Sequence, residues 1–183
     1  VISKDVQQVA AGKRSTGEGS VPEGAFADLL RPLVDPGFRL ALAMLRDAQA
    51  AEDVVQEASF VAWQKVATIR DPDRLRSWFL GVVANKCRNA RRRKWVASVR
   101  LGVPEHLTVV SAEEHALRGA DLRRAVAALR YEDRLVVVLY FYLDMPLSEV
   151  AAVTGNTLGA TRARLYRSIQ RLRPGVDPEE ALT

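Results

Sequence analysis

At 183 residues, 48% hydrophobic and 27% charged, the chain has material for one or two domains with real cores, and no apolar run approaches the ~20 residues a membrane span needs. Twenty-seven Lys and Arg against 22 Asp and Glu leave a net charge of +5, which favours a polyanionic partner over an acidic one. A single cysteine, Cys87, excludes an internal disulfide framework and a cysteine zinc site, and fits a reducing cytoplasm.

Residues 1–24 form a leader, including the Gly/Ser-rich run AGKRSTGEGSVPEG, that is expected to be flexible. Its start, VISKDVQQ, lacks a basic end followed by an apolar core, so no secretory signal is expected. The missing initiating Met points to a trimmed or partial chain. From Phe26 the pattern becomes helical. Pro32 and the Pro36-Gly37 pair interrupt it, which predicts a short helix to about Val34 and a second from Phe38 to Leu45. A third helix is expected around Glu52 to Ala67, with Val54, Val55, Ala58, Val61, Ala62 and Val66 inward. Its outward side carries Asp53, Gln56, Glu57, Phe60 and Gln64. Phe60 is either a lone apolar residue packing under the N-terminal segment or the centre of a protein-docking face, since an aromatic rimmed by carboxylates and an amide has that makeup.

Asp71-Pro72-Asp73 then breaks the chain and offers a helix cap. The helix that follows, Leu75 to about Trp95, has a predicted buried stripe of Leu75, Trp78, Phe79, Val82 and Val83. Gly81, Asn85, Arg88 and Arg92 form a stripe away from it. Eight Lys and Arg and no Asp or Glu lie between Leu75 and Arg100. Such a helix admits three uses: a nucleic-acid face, a membrane-surface helix, or a nuclear-import tract at Arg91-Arg92-Arg93-Lys94. The commitment of its apolar side to a core weakens the second. Trp78 and Trp95, close to the basic stripe, can stack on unpaired bases or pack into a core. Residues 96–120 read as a flexible linker. His106 and His115 within it have no further ligands at metal-site spacing, so no metal and no cofactor is expected.

A second helical unit is expected from Asp121, with Leu122, Val126 and Leu129 first and Leu135 to Tyr142 next. Then come two apolar-periodic segments around the turn Gly155-Asn156-Thr157. The first, Leu147 to Val153, turns Val150, Ala151 and Val153 inward. The second buries Leu158, Thr161, Leu165, Ile169 and Leu172 at helical spacing. At about 100° per residue, Ala160, Ala163, Arg164, Arg167 and Arg171 face the other way, with Arg162 and Tyr166 on the flank. Five arginines and no carboxylate fall between Leu158 and Arg173. This is the pattern of a helix-turn-helix carrying guanidinium groups toward phosphates and guanine edges; the alternative is a helical hairpin with a solvated basic face. Small residues Gly159, Ala160 and Ala163 would let the helix start approach a groove closely. Pro174-Gly175 ends it, and the tail 175–183 is expected to fray.

The order of these parts, AEDVVQEASFVAW at 51–63, RSWFLGVVANKCRNARRRKW at 76–95 and DRLVVVLYFYLDMPLSEVAAVTGNTLGATRARLYRS at 133–168, resembles an extracytoplasmic-function sigma factor of the sigma-seventy family. The resemblance implies an all-α fold of two small helical domains, 25–95 and 121–174, joined by a flexible linker, the second holding the helix-turn-helix. It implies a promoter-specificity factor rather than an enzyme, acting in the cytoplasm without membrane insertion. Its partners would be core RNA polymerase (β′ clamp helices and β flap), promoter DNA and an anti-sigma protein. Asp53, Gln56, Glu57 and Phe60 match the surface that docks on the clamp helices. Asn85, Lys86, Arg88, Asn89 and Arg92 match the segment reading the −10 element. Arg162, Ala163, Arg164, Tyr166 and Arg167 match the helix reading the −35 element. The alternative is a stand-alone helix-turn-helix regulator with an N-terminal sensing or partner-binding domain.

Overall fold

The computed structural model describes residues 23–65, 74–101 and 117–172, and those residues are helical apart from short turns, as an all-α chain requires. They fall into two compact units, one within residues 1–110 and one within 111–183, and each has its own core. Residues 1–22 of the leader, His106, His115 and the tail lie outside the described residues, and residues 23 and 24, expected to belong to the leader, open the first helix.

Three mutually packed helices make the first unit: α1 (Glu23–Leu45), α2 (Ala48–Lys65) and α3 (Leu75–Leu101). Phe26, Leu30, Leu40 and Met44 of α1 meet Val54, Val55, Ala58 and Ala62 of α2 and Phe79, Leu80, Val83 and Cys87 of α3 in the core. Each large apolar side chain sealed there contributes roughly 1.5–3 kcal/mol. An edge-to-face contact between Phe26 and Trp63, ring centroids 5.0 Å apart, ties the start of α1 to the end of α2.

The expected break at Pro36-Gly37 does not occur: α1 runs unbroken through Pro32 and Pro36. The two prolines are four residues apart, so the backbone carbonyls they leave without an amide partner, at Asp28 and Pro32, share one side of the helix. Asp28, Pro32, Asp35 and Arg39 are exposed on that side, where water can satisfy the carbonyls. Gly37 is not a breaker either. It is buried, and a Cβ there would stand 2.9 Å from Cε1 of Phe79, so the glycine lets α1 and α3 approach closely. At the corner into α2, Arg46 turns with φ 59° and the Asp47 carboxylate accepts the Ala50 N–H at 3.1 Å, capping a helix that starts four residues before the expected Glu52.

The α3 helix also outruns its predicted end, continuing past Trp95 to Leu101. Lying against both α1 and α2, it buries a wider stripe than predicted: Leu80, Ala84 and Cys87 are buried, whereas Trp78 and Val82 are half-buried.

The second unit comprises α4 (Leu117–Ala128), α5 (Tyr131–Val137), α6 (Leu147–Thr154) and α7 (Leu158–Leu172). A π-helical turn, Val138–Tyr142, continues α5. Leu135, Leu139, Met145, Val150, Leu165 and Ile169 build the core. Two of its buried polar side chains bond to backbone: Arg134 Nη1 donates to the Ala127 carbonyl at 3.2 Å, and the Ser168 hydroxyl donates to that of Arg164 at 2.8 Å. Leu122, expected among the apolar set, is exposed.

Candidate nucleic-acid and protein interfaces

In the first unit, α2 and α3 each present one ordered face. Asp53, Gln56, Glu57 and Phe60 follow the i, i+3, i+4, i+7 spacing of a single helix side. Asp53, Glu57 and Phe60 are exposed, Gln56 is half-buried, and Phe60 keeps 40% of its surface in solvent. The N-terminal segment under which Phe60 was alternatively expected to pack lies outside the described residues, and the start of α1 is held by Phe26 against Trp63.

Asn85, Arg88, Asn89 and Arg92 repeat the spacing on α3, and all four are exposed. Arg88 Nη1 donates to the Asn85 side-chain carbonyl at 3.3 Å, so amide and guanidinium form one polar surface. Arg91, Arg93 and Lys94 flank it, and Trp95 is exposed rather than packed in a core. Lys86, one step round the helix, leans toward α2, and its Nζ sits 2.9 Å from Oε2 of Glu57. The acidic–aromatic face and the basic face therefore share a boundary, which the sequence spacing did not reveal.

In the second unit a tight turn sets the angle between α6 and α7. Gly155 adopts φ 67° and ψ 28°, which only glycine takes without cost. Asn156 N–H donates to the Ala151 carbonyl at 3.0 Å and Gly155 N–H to that of Ala152 at 3.3 Å, closing the helix in a Schellman motif. Thr157 then caps α7: its hydroxyl accepts the Ala160 N–H at 3.2 Å. Gly159, Ala160, Arg162, Ala163, Tyr166 and Arg167 emerge exposed from this start.

Three residues of α7 depart from the sequence expectation, Leu172 in being half-buried rather than buried. Leu158, assigned to the buried stripe, is 48% exposed. It is the first residue of the helix, ahead of the turn that packs, and Thr161, Leu165, Ser168 and Ile169 form the actual inner side. Arg164, assigned to the open face, is half-buried; its Nη1 reaches Oδ1 of Asp133 on α5 at 3.4 Å. Arg171 reaches Oδ2 of the same carboxylate at 2.6 Å.

Phe141 and Tyr142 also carry no role in the sequence reading, yet they are 50% and 56% exposed. The π-helical turn puts them there. Leu143 N–H donates to the Val138 carbonyl at 3.0 Å, one residue wider than an α-turn, and this rotates the two aromatics off the buried side that Val138 and Leu139 occupy. The available signal was an apolar run, VVVLYFYL, too long for one helical stripe.

Among the described residues no His, Cys, Asp and Glu gather in a group able to hold a metal ion, and no helix is long and apolar enough to cross a membrane. Residues 28–96 match the sigma-70 region 2 family, and residues 120–172 match sigma-70 region 4. The chain is similar to the ECF RNA polymerase sigma factor SigL of Mycobacterium tuberculosis, 35% identical over 161 residues that cover 81% of this chain and 89% of that one. It is also similar to the RNA polymerase sigma factor SigV of Bacillus subtilis, 28% identical over 144 residues covering 78% and 86%. Among solved structures, the fold matches the sigma factor RpoE from Bartonella quintana, crystallised with the anti-sigma factor NepR. The TM-score is 0.70 at 22% identity, over 81% of this chain and 94% of that one. It likewise matches CnrH in complex with the cytosolic domain of CnrY, with TM-score 0.61 at 24% identity, over 94% and 95%.

Proposed function

Because the chain belongs to the extracytoplasmic-function sigma factors of the sigma-70 family, promoter-recognition subunits that bind RNA polymerase, we propose how its surfaces divide that work. Asp53, Gln56, Glu57 and Phe60 dock on the β′ clamp helices. Asn85, Lys86, Arg88, Asn89 and Arg92 take the −10 element. Arg162, Ala163, Tyr166 and Arg167 face the −35 element, while Arg164, matched to the same helix, turns from that face toward Asp133. Residues 25–95 and 121–174 act as the two working domains, with 96–120 between them. The exposed pair Phe141 and Tyr142 offers the second unit an apolar contact for the β flap. The observation that carries this division is the sorting of exposed residues in the first unit, acidic and aromatic on α2, basic and amide on α3.

The physics of each contact suits its element. A −35 site stays duplex and presents a readable major groove, where each bidentate arginine–guanine pair contributes roughly 1–3 kcal/mol of discrimination. A −10 site must open, at about 1.4 kcal/mol per base-pair step. Asn85 and Arg88, side by side and exposed, can pair with the edge of an extruded base while Arg92 holds its strand by the phosphates. The chain acts by binding, in the cytoplasm where polymerase and promoter meet, and bond formation is left to the polymerase. A sigma factor of this fold, RpoE from Bartonella quintana, has been crystallised with the anti-sigma factor NepR, which supports a protein inhibitor for this chain as well. A stand-alone regulator would need to hold its duplex without polymerase, and the docking face on α2 would then have no use.

The test is a titration of the labelled chain with core RNA polymerase. Phe60→Ala is expected to weaken binding about tenfold, the loss of one interface hot spot, while the helical circular-dichroism signal is kept. Unchanged affinity removes the α2 docking face.

A further inference from the structure

Unpartnered guanidinium groups bind any phosphate backbone, and each phosphate neutralised adds about 0.9 to the log–log salt slope whatever the sequence. A helix that must discriminate therefore gains from exposing few arginines rather than many. The four described arginines of α7 split two and two. Arg162 and Arg167 are exposed and have no partner among the described residues. Arg164 and Arg171 lie seven residues apart, hence on one side of the helix, and both turn to Asp133 in the first turn of α5.

Asp133 is built for that task. Its side chain is only 14% exposed, so little water stands in for a missing partner. Its two oxygens serve one guanidinium each, Arg171 at 2.6 Å and Arg164 at 3.4 Å. Drawing either arginine to a phosphate would leave a shielded carboxylate with half its counter-charge, a cost that a generic backbone contact does not offset.

We propose that Asp133 is a positioning residue that withholds Arg164 and Arg171 from the DNA backbone, so that Arg162 and Arg167 alone read the duplex and sequence selectivity is kept. This rests on α7 being the −35 helix, and the experiment separates the two claims. Holoenzyme reconstituted from the full chain and core polymerase transcribes a template pool with a random block at −35, which defines a preferred and a poor block. Duplexes carrying each block are then titrated with the holoenzyme between about 50 and 200 mM salt. The core contributes equally to every variant, so differences belong to the second unit.

Asp133→Asn is expected to strengthen binding to the poor block several-fold, to narrow the preference between blocks, and to steepen the salt slope by about one to two, the count of freed guanidinium groups. Adding Arg164→Ala and Arg171→Ala to that variant should return the slope to its starting value. Arg171→Ala alone, which leaves Asp133 in place, should change neither slope nor preferred-block affinity. An unaltered slope in a folded Asp133→Asn variant overturns the proposal. So does an Arg171→Ala variant that loses preferred-block affinity, because Arg171 would then be on the DNA. Arg167→Ala checks the premise: loss of preferred-block binding upholds α7 as the −35 helix, and full retention removes it whatever Asp133 does.

Discussion

Gly37 decides how near α1 can lie to α3. The ring of Phe79 is fully buried and cannot yield freely, so a methyl group 2.9 Å from its Cε1 must push the two helices apart. Overpacking of this kind costs about 1–3 kcal/mol, and the helix propensity gained from alanine returns about 1. Gly37→Ala is therefore expected to lower unfolding free energy by about 1 kcal/mol in urea titration, and Phe79→Leu should cost less in the Gly37→Ala background than in the parent. The same residue explains a failure of sequence reasoning. A glycine after a proline is punctuation in a sequence, because nothing there tells that another helix presses on its missing side chain. Leu158 and Arg164 were misplaced for a related reason. Periodicity gives the angle of a residue around its helix, but not where along the helix the packing begins or which neighbour holds a counter-charge.

At the scale of elements, the buried side of α3 proved wider than its spacing implied, but the exposed faces of α2 and α3 were legible, since spacing alone fixes which side chains share a side. Their junction was not. Glu57 and Lys86 are 29 positions apart and meet only because the helices pack, at 2.9 Å with both side chains partly in water. Such a pair contributes about 0–1 kcal/mol to folding. Glu57→Gln should thus shift the melting temperature little while weakening polymerase binding, and a double-mutant cycle with Lys86→Met should give a stability coupling of about 0.5 kcal/mol. The charge reversal Glu57→Lys is the poorer probe, because it sets two ammonium groups against each other and adds repulsion to the loss. The π-helical turn was illegible outright. The over-long apolar run implied that some of its residues must face outward, but nothing in it marked an i to i+5 bond or said that Phe141 and Tyr142 would be the ones turned.

The molecule as a whole is two units with separate cores, and the order of its parts along the chain was readable from composition: a leader, a basic-faced helical unit, a polar connector and a helix-turn-helix. Where the helices stop within the connector was not, since α3 persists to Leu101 and α4 starts at Leu117. Cleavage between residues 102 and 116 should leave each piece helical with its own unfolding transition in calorimetry; loss of helicity in either piece would show that its core is incomplete alone. The Lys86–Glu57 contact sets a rule for anyone rebuilding such a factor. A chimera that grafts only the basic helix, to borrow another promoter preference, strands Glu57 without the cation it grew beside and gives the newcomer no anchor. The smallest block that can be transplanted is both helices together, and so polymerase attachment and −10 preference are inherited as one parcel.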